Sequence, residues 1–263
     1  MDSLTLTATV FAVIFAGGAI GLELQHRLPE SFTTGGPRDF TGAVVGLVTL
    51  LLALVLGLLI WTAYGVFSTQ RASIQTMALS ALRFDEALQY YGPDAEEGRG
   101  ILKSGMTGAI AQIWGGSADS DLVINAFGSA LSNSQNLDAF LDSLHPTTDQ
   151  ETAAKANALQ ASMTIGQVRT QMAVSLIDPV SYPLLGVVVA WGAFLFCGYG
   201  LLSKRHVMSY IVLAFGAMAV ASSIYVISDL ISPYSGLFQV SPDPILDVLK
   251  AADDAAAPSG THR

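Results

Sequence analysis

Residues 40–70 read FTGAVVGLVTLLLALVLGLLIWTAYGVFSTQ, thirty-one positions without an Asp, Glu, Lys, Arg or His. A hydrocarbon core about 30 Å thick takes about 20 helical residues to cross, and only a helix satisfies the backbone of a lone segment there. The stretch therefore predicts a transmembrane helix. Residues 4–22, 179–203 and 207–228 are likewise free of those five residue types. The fold class expected is all-α: a polytopic membrane protein with four transmembrane helices. Asp2 and the lack of any Lys or Arg before the first run favour a retained helix over a signal peptide. The composition agrees, since 51% of the 263 residues are hydrophobic and 13% charged, with mean hydropathy +0.50, values that do not suit a soluble domain.

The spans divide the chain into residues 1–70 (helices one and two), 71–178 (a helical extramembrane segment), 179–230 (helices three and four) and 231–263 (a tail). Residues 71–178 hold six basic against twelve acidic residues, and the whole chain carries −9, which argues against nucleic acid as a partner. The two short loops concentrate Arg27, Arg38, Lys204 and Arg205. By the positive-inside rule they face the cytoplasm, with the long segment and both termini outside.

Within the long segment, Ile74, Met77, Ala78, Ala81, Leu82 and Leu88 fall on a helical stripe that continues the second span, and Tyr91-Gly92-Pro93 stops it. Asp94 with Glu97 and Thr148 with Glu151 have capping-box spacing. Ser134 is expected to cap a short helix that His145-Pro146 ends. A long helix then runs from Thr148 past Leu176, antiparallel to the first as a stalk. In the tail, Pro233 and Gly236 mark a turn, Ser241-Pro242 starts a short amphipathic helix over 242–250, and the last residues read as disordered.

Three stretches, LVLGLLI at 54–60, LQYYGP at 88–93 and PYSGLFQVS at 233–241, resemble the bacterial bestrophin-like family of membrane proteins. The likeness in layout covers nearly the whole chain. It implies a bacterial inner membrane protein, a homo-oligomer, and a distant likeness to anion channels that pass inorganic ions. Bestrophins place the region between spans two and three in the cytoplasm, opposite to the charge count here. This chain also lacks their run of aromatic residues in the second span, having only Trp61 and Tyr64.

On that reading Gly46, Thr49, Gly57 and Thr62 are the expected pore lining, in a helix whose apolar wall would gate by dewetting. Arg71, Asp85, Asp229 and Gly236 are expected to be structural or gating residues, with Arg71 and Asp229 as a charge pair at two span ends. Asp85 lies on the apolar stripe, where a carboxylate must be paired or wet. It is either a pair inside the stalk or an ion site shared with Arg83 or Glu86 of a neighbour. Gly17 with Gly21, and Gly42 with Gly46, have small-xxx-small spacing, which serves packing within one subunit or between subunits. The acidic loop from Gly115 to Asp121 reads as a solvated turn.

No enzyme constellation is present: there is no nucleophile elbow and no phosphate loop. The four histidines and single Cys197 have no metal-ligand spacing, so neither cofactor nor metal is expected. The alternative to a channel is a non-conducting interaction or scaffold protein anchored in the lipid bilayer, whose helical segment binds a partner.

Overall fold

The structure, a computed structural model, describes residues 3–29, 35–114, 136–176, 182–234 and 236–256. Its helices are α1 (Ser3–Arg27), α2 (Gly36–Tyr91), a 3₁₀ turn (Pro93–Ala95), α3 (Glu96–Trp114), α4 (136–143), α5 (Asp149–Leu176), α6 (Tyr182–Leu202), α7 (Val207–Ile231) and α8 (Asp243–Ala256). No strand occurs among the described residues. Helices α1, α2, α6 and α7 are long and apolar enough to cross a membrane. The chain forms two compact units, residues 1–65 with 178–231, and residues 66–177 with 232–263.

The first unit is held by glycine. In hydrocarbon a leucine face gains nothing by burial against another helix, so close backbone approach and van der Waals contact decide which helices associate. A Cβ on Gly17 would stand 2.5 Å from the Ala193 carbonyl oxygen on α6, and one on Gly21 would overlap the Cys197 carbonyl. Gly200 of α6 returns the contact, since its Cβ would overlap the Gly18 carbonyl. The Gly17–Gly21 pair thus packs within the subunit. Helix α7 joins through Leu213, 3.0 Å from where a Gly18 Cβ would lie. The first part of α2 contributes a narrow stripe, Val45, Leu52, Leu59 and Ala63, and Val45 fills the space that Gly198 leaves. The opposite side of α2 is open, with Leu50 71% and Trp61 74% exposed.

The second unit has an ordinary core. Ile74, Met77, Ala78, Ala81, Phe84 and Leu88 of α2 face Ala154, Ala158, Ala161, Ile165, Val168 and Met172 of α5, with α3, α4 and the tail covering them. The stalk is antiparallel: Gln70 bonds the Met172 carbonyl, while Gln150 reaches the Tyr90 carbonyl. Gly92 ends α2 at φ +114° and ψ −164°, a region essentially confined to glycine, with its N–H still on the Leu88 carbonyl at 3.2 Å.

Two local expectations need correcting. Asp94 does not head a capping box, because Gly92 and Pro93 open a 3₁₀ turn without a side-chain cap and α3 begins only at Glu96. The tail helix is longer than expected and runs to Ala256. Thr148 and Glu151 do form their box: the Glu151 N–H donates to Thr148 Oγ1 at 3.2 Å and the Thr148 N–H to Glu151 Oε2 at 3.4 Å. Glu151 also accepts from the Thr147 N–H at 2.6 Å, and these backbone and hydroxyl donors hold its carboxyl below the usual range. Ser134, Thr33 and the loop with Ser117, Asp119 and Ser120 lie outside the described residues, as does the end of the chain.

The glycine contact sets a test. Gly21→Val should lower stability in detergent by about 1–3 kcal/mol, the usual range for overpacking, whereas Gly57→Ala, whose Cβ meets open space, should be neutral or gain up to about 1 kcal/mol of helix propensity. Thermal unfolding followed by tryptophan fluorescence measures both. Equal behaviour of the two variants would remove glycine contact as the organising feature.

Candidate functional site

The expected pore lining sits on the membrane part of α2. At about 100° per residue, Gly57 lies about 20° round the helix from Gly46 and Thr49 about 60° to the other side, whereas Thr62 lies about 160° away. The four do not share a face. Added Cβ atoms at Gly46 and Gly57 meet nothing. Thr49 Oγ1 donates to the Val45 carbonyl at 2.7 Å and lies 3.0 Å from the Tyr199 hydroxyl on α6, so its hydroxyl faces its own bundle. Thr62 Oγ1 donates to the Leu58 carbonyl at 2.8 Å on an exposed side.

Asp85 is buried in the second unit, 3% exposed, and its partner is within the chain. Oδ1 accepts from Arg99 Nε at 2.6 Å and Oδ2 from Arg99 Nη2 at 3.3 Å, a bidentate pair of the strong kind. Oδ2 also accepts from Gln89 Nε2 at 2.7 Å. Arg99 continues outward to Glu96 Oε2 at 3.2 Å and to the Ala252 carbonyl of α8 at 3.3 Å. The bond to Asp85 raises the Arg99 guanidinium above its ordinary value, against the opposite pull of burial. Both carboxylate oxygens of Asp85 are thus occupied within the chain.

A second buried network was not visible in the sequence. Gln70, with no exposed surface, donates from Nε2 to the Met172 carbonyl at 3.0 Å and to Ser175 Oγ at 2.6 Å, and its Oε1 accepts the Tyr234 hydroxyl at 2.7 Å. Burial pushes the Tyr234 phenol well above its usual value. The Trp114 ring stands edge-on to Tyr234 at 5.4 Å, and its indole N–H donates to the Val240 carbonyl at 2.8 Å. Gly236, at φ +99°, makes the turn that lets Tyr234 and Val240 both face inward, which requires a residue at ease in the left-handed region.

Arg71 is exposed, while Asp229 at the end of α7 is 1% exposed. A polar groove of about 320 Å³ runs between α2 and α5, lined by Arg83, Glu86, Tyr90, Asn157 and Gln160. No hydrogen bond joins the side chains of Arg83 and Glu86 to another described residue.

A family profile, the bestrophin-like domain, matches residues 12–245. No curated protein matches in sequence. Among solved structures the chain is similar to two crystal structures of a bacterial bestrophin homolog from Klebsiella pneumoniae, each with one mutation. The first has a TM-score of 0.69 at 12% identity over 95% of this chain and 99% of that one. The second has 0.63 at 13% over 94% and 97%. At such identity the likeness is one of fold.

The buried pair gives the second test. Asp85→Ala strands the Arg99 guanidinium and should cost about 3–5 kcal/mol, read from thermal or denaturant unfolding in detergent. The double variant Asp85→Ala/Arg99→Met should recover much of that loss, because no unpaired charge remains buried. A single-variant cost below about 1 kcal/mol, the range of exposed pairs, would contradict the burial assigned here.

Proposed function

The chain belongs to the bestrophin-like family, and from that premise we propose that it is an oligomeric ion channel of the bacterial inner membrane, with α2 lining the pore. The observation that carries the reading is the open side of α2. The helix buries only Val45, Leu52, Leu59 and Ala63 in its own membrane unit, and its flank carries Gly46 and Gly57, where the backbone is bare. Copies arranged around an axis would meet there. Thr49 stands at the edge of this face, and Thr62 on another side of the helix.

None of the four runs has a charged side chain or histidine at mid-depth, so a proton or ion relay through fixed charges has nothing to work with. A pore walled by Leu, Val and Gly conducts only when wet and closes by dewetting. The family's likeness to anion channels makes small inorganic anions the proposed ions. The segment between the spans carries twelve acidic against six basic residues, which works against anions at any mouth it lines, so selectivity is the sharpest part of the reading. Orientation follows the Lys and Arg count, with that segment and both termini in the periplasm; labelling of Thr33→Cys by an impermeant reagent in intact cells would reverse it.

The scaffold alternative has one observation in its favour, the α2–α5 groove, where the side chains of Arg83 and Glu86 bond no other described residue. It predicts binding of a partner and no current.

Reconstitution in planar bilayers under a tenfold KCl gradient tests the channel. Currents that reverse near the chloride potential, and that fall when a bulky methanethiosulfonate modifies Gly46→Cys or Gly57→Cys but not Thr62→Cys, are expected. Reversal near the potassium potential would overturn the anion assignment. Silence across salts and pH values would overturn the channel.

A further inference from the structure

Helices α6 and α7 enclose an apolar groove of about 430 Å³ that the channel reading does not use. Its floor is Phe196 and Leu213, each 8% exposed, and Val212 forms a wall. Gly216 keeps it open, since a Cβ there would stand 2.9 Å from the Phe196 ring. From Ser209 to Gly216 the groove runs about 10 Å along α7, a large part of one leaflet's hydrocarbon depth of about 15 Å.

One end of the groove is polar and the turn there is tightly built. Ser203 and Ser209 line it, their hydroxyls 3.0 Å apart, and Ser209 Oγ donates to the Lys204 carbonyl at 2.8 Å. This turn carries Lys204, Arg205 and His206, all exposed. Arg38 joins them by donating to the Leu202 carbonyl at 3.2 Å. Among the described residues the acidic groups at this end are Glu23 and Asp39. Glu23 answers two cations at once, Arg27 at 3.1 Å and Arg205 at 3.3 Å, and Lys204 has no ion pair among the described residues. An apolar slot long enough for part of an acyl chain thus ends in hydroxyl groups and, among the described residues, surplus positive charge.

We propose that this groove is a binding site for an anionic glycerophospholipid, with one acyl chain along Phe196, Val212 and Gly216 and the phosphate at the Ser203–Arg205 turn. The charge complementarity selects the occupant: a zwitterionic lipid offers the same chains, but its ammonium offsets the attraction of the cations. The site rests on the reading of α6 and α7 as membrane spans and not on ion conduction, so a protein that never conducts still binds the lipid.

Native mass spectrometry of the delipidated full-length protein tests it, with phosphatidylglycerol and phosphatidylcholine of the same chains as probes. Each unscreened cation near an anionic headgroup is worth roughly a fivefold preference, so with Lys204 alone phosphatidylglycerol should be retained at least about fivefold more. Lys204→Gln/Arg205→Gln should abolish the preference while leaving the weaker binding common to both lipids. Val212→Trp should fill the groove and lose both lipids. Val187→Trp, at an equally lipid-facing position of α6 outside the groove, should bind as the parent does and serves as the folding control. Equal retention of the two lipids by the parent, unchanged binding by Val212→Trp, or equal loss in Val187→Trp and Val212→Trp would each overturn the site. Displacement of the lipid by millimolar glycerol 3-phosphate would also overturn it, because the headgroup alone would then be the ligand.

Discussion

Contact between bare backbones on α1 and α6 is the interaction from which the arrangement of the membrane unit follows. In lipid the apolar faces of Leu and Val are as well solvated apart as together, so helices associate where their backbones can come close and dispersion and dipole contacts are dense. Gly17 and Gly21 meet the carbonyls of Ala193 and Cys197, and Gly200 meets that of Gly18. With α1 and α6 locked in this way, and α7 seated against α1 through Leu213, α2 is left with one stripe to bury. Its remaining surface is chemically suited either to lipid or to another copy of itself. On the channel reading proposed above, that surface is where copies of the chain would meet.

The second unit follows different physics. It is held by burial of an apolar core, and the buried polar networks described above are satisfied atom by atom. Asp85 and Arg99 neutralise each other in a bidentate pair, and Gln70 fills its donors and acceptor with Met172, Ser175 and Tyr234. An unpaired buried group costs far more than a made bond returns. Tyr234 and Arg99 are thus as firmly fixed by what they satisfy as by what they pack against, and through them the tail is tied to α2 and α3.

Much of this was legible in the sequence, for reasons that differ by feature. The four spans follow from composition alone. The Thr148–Glu151 box and the Tyr91-Gly92 stop are local, set by residues within four positions of each other. The Asp94 box failed because a Gly-Pro pair imposed its own 3₁₀ geometry on the same residues. Asp85 announced that it needed a partner, and the partner had a signal of its own, because Arg99 shares an inward stripe with Leu102 and Met106. Gln70 carried no such signal, since a glutamine at a span end reads as a polar boundary until the tail is seen to cover it. Thr62 could have been separated from Gly46 and Gly57 by helix arithmetic before any coordinates existed. The charge of the long segment and the orientation of family relatives pull in opposite directions, and no local rule weighs one against the other.

The central claim is that copies of this chain cover the open face of α2. Four mostly apolar helices cannot enclose an aqueous path by themselves, so a pore needs several chains. The mass of the purified protein in mild detergent, measured by light scattering with the detergent contribution subtracted, tests this most directly. A single species at a whole multiple of the 27.6 kDa chain, three or more, is the expected result. A monomer at 27.6 kDa that persists in lipid nanodiscs would contradict it.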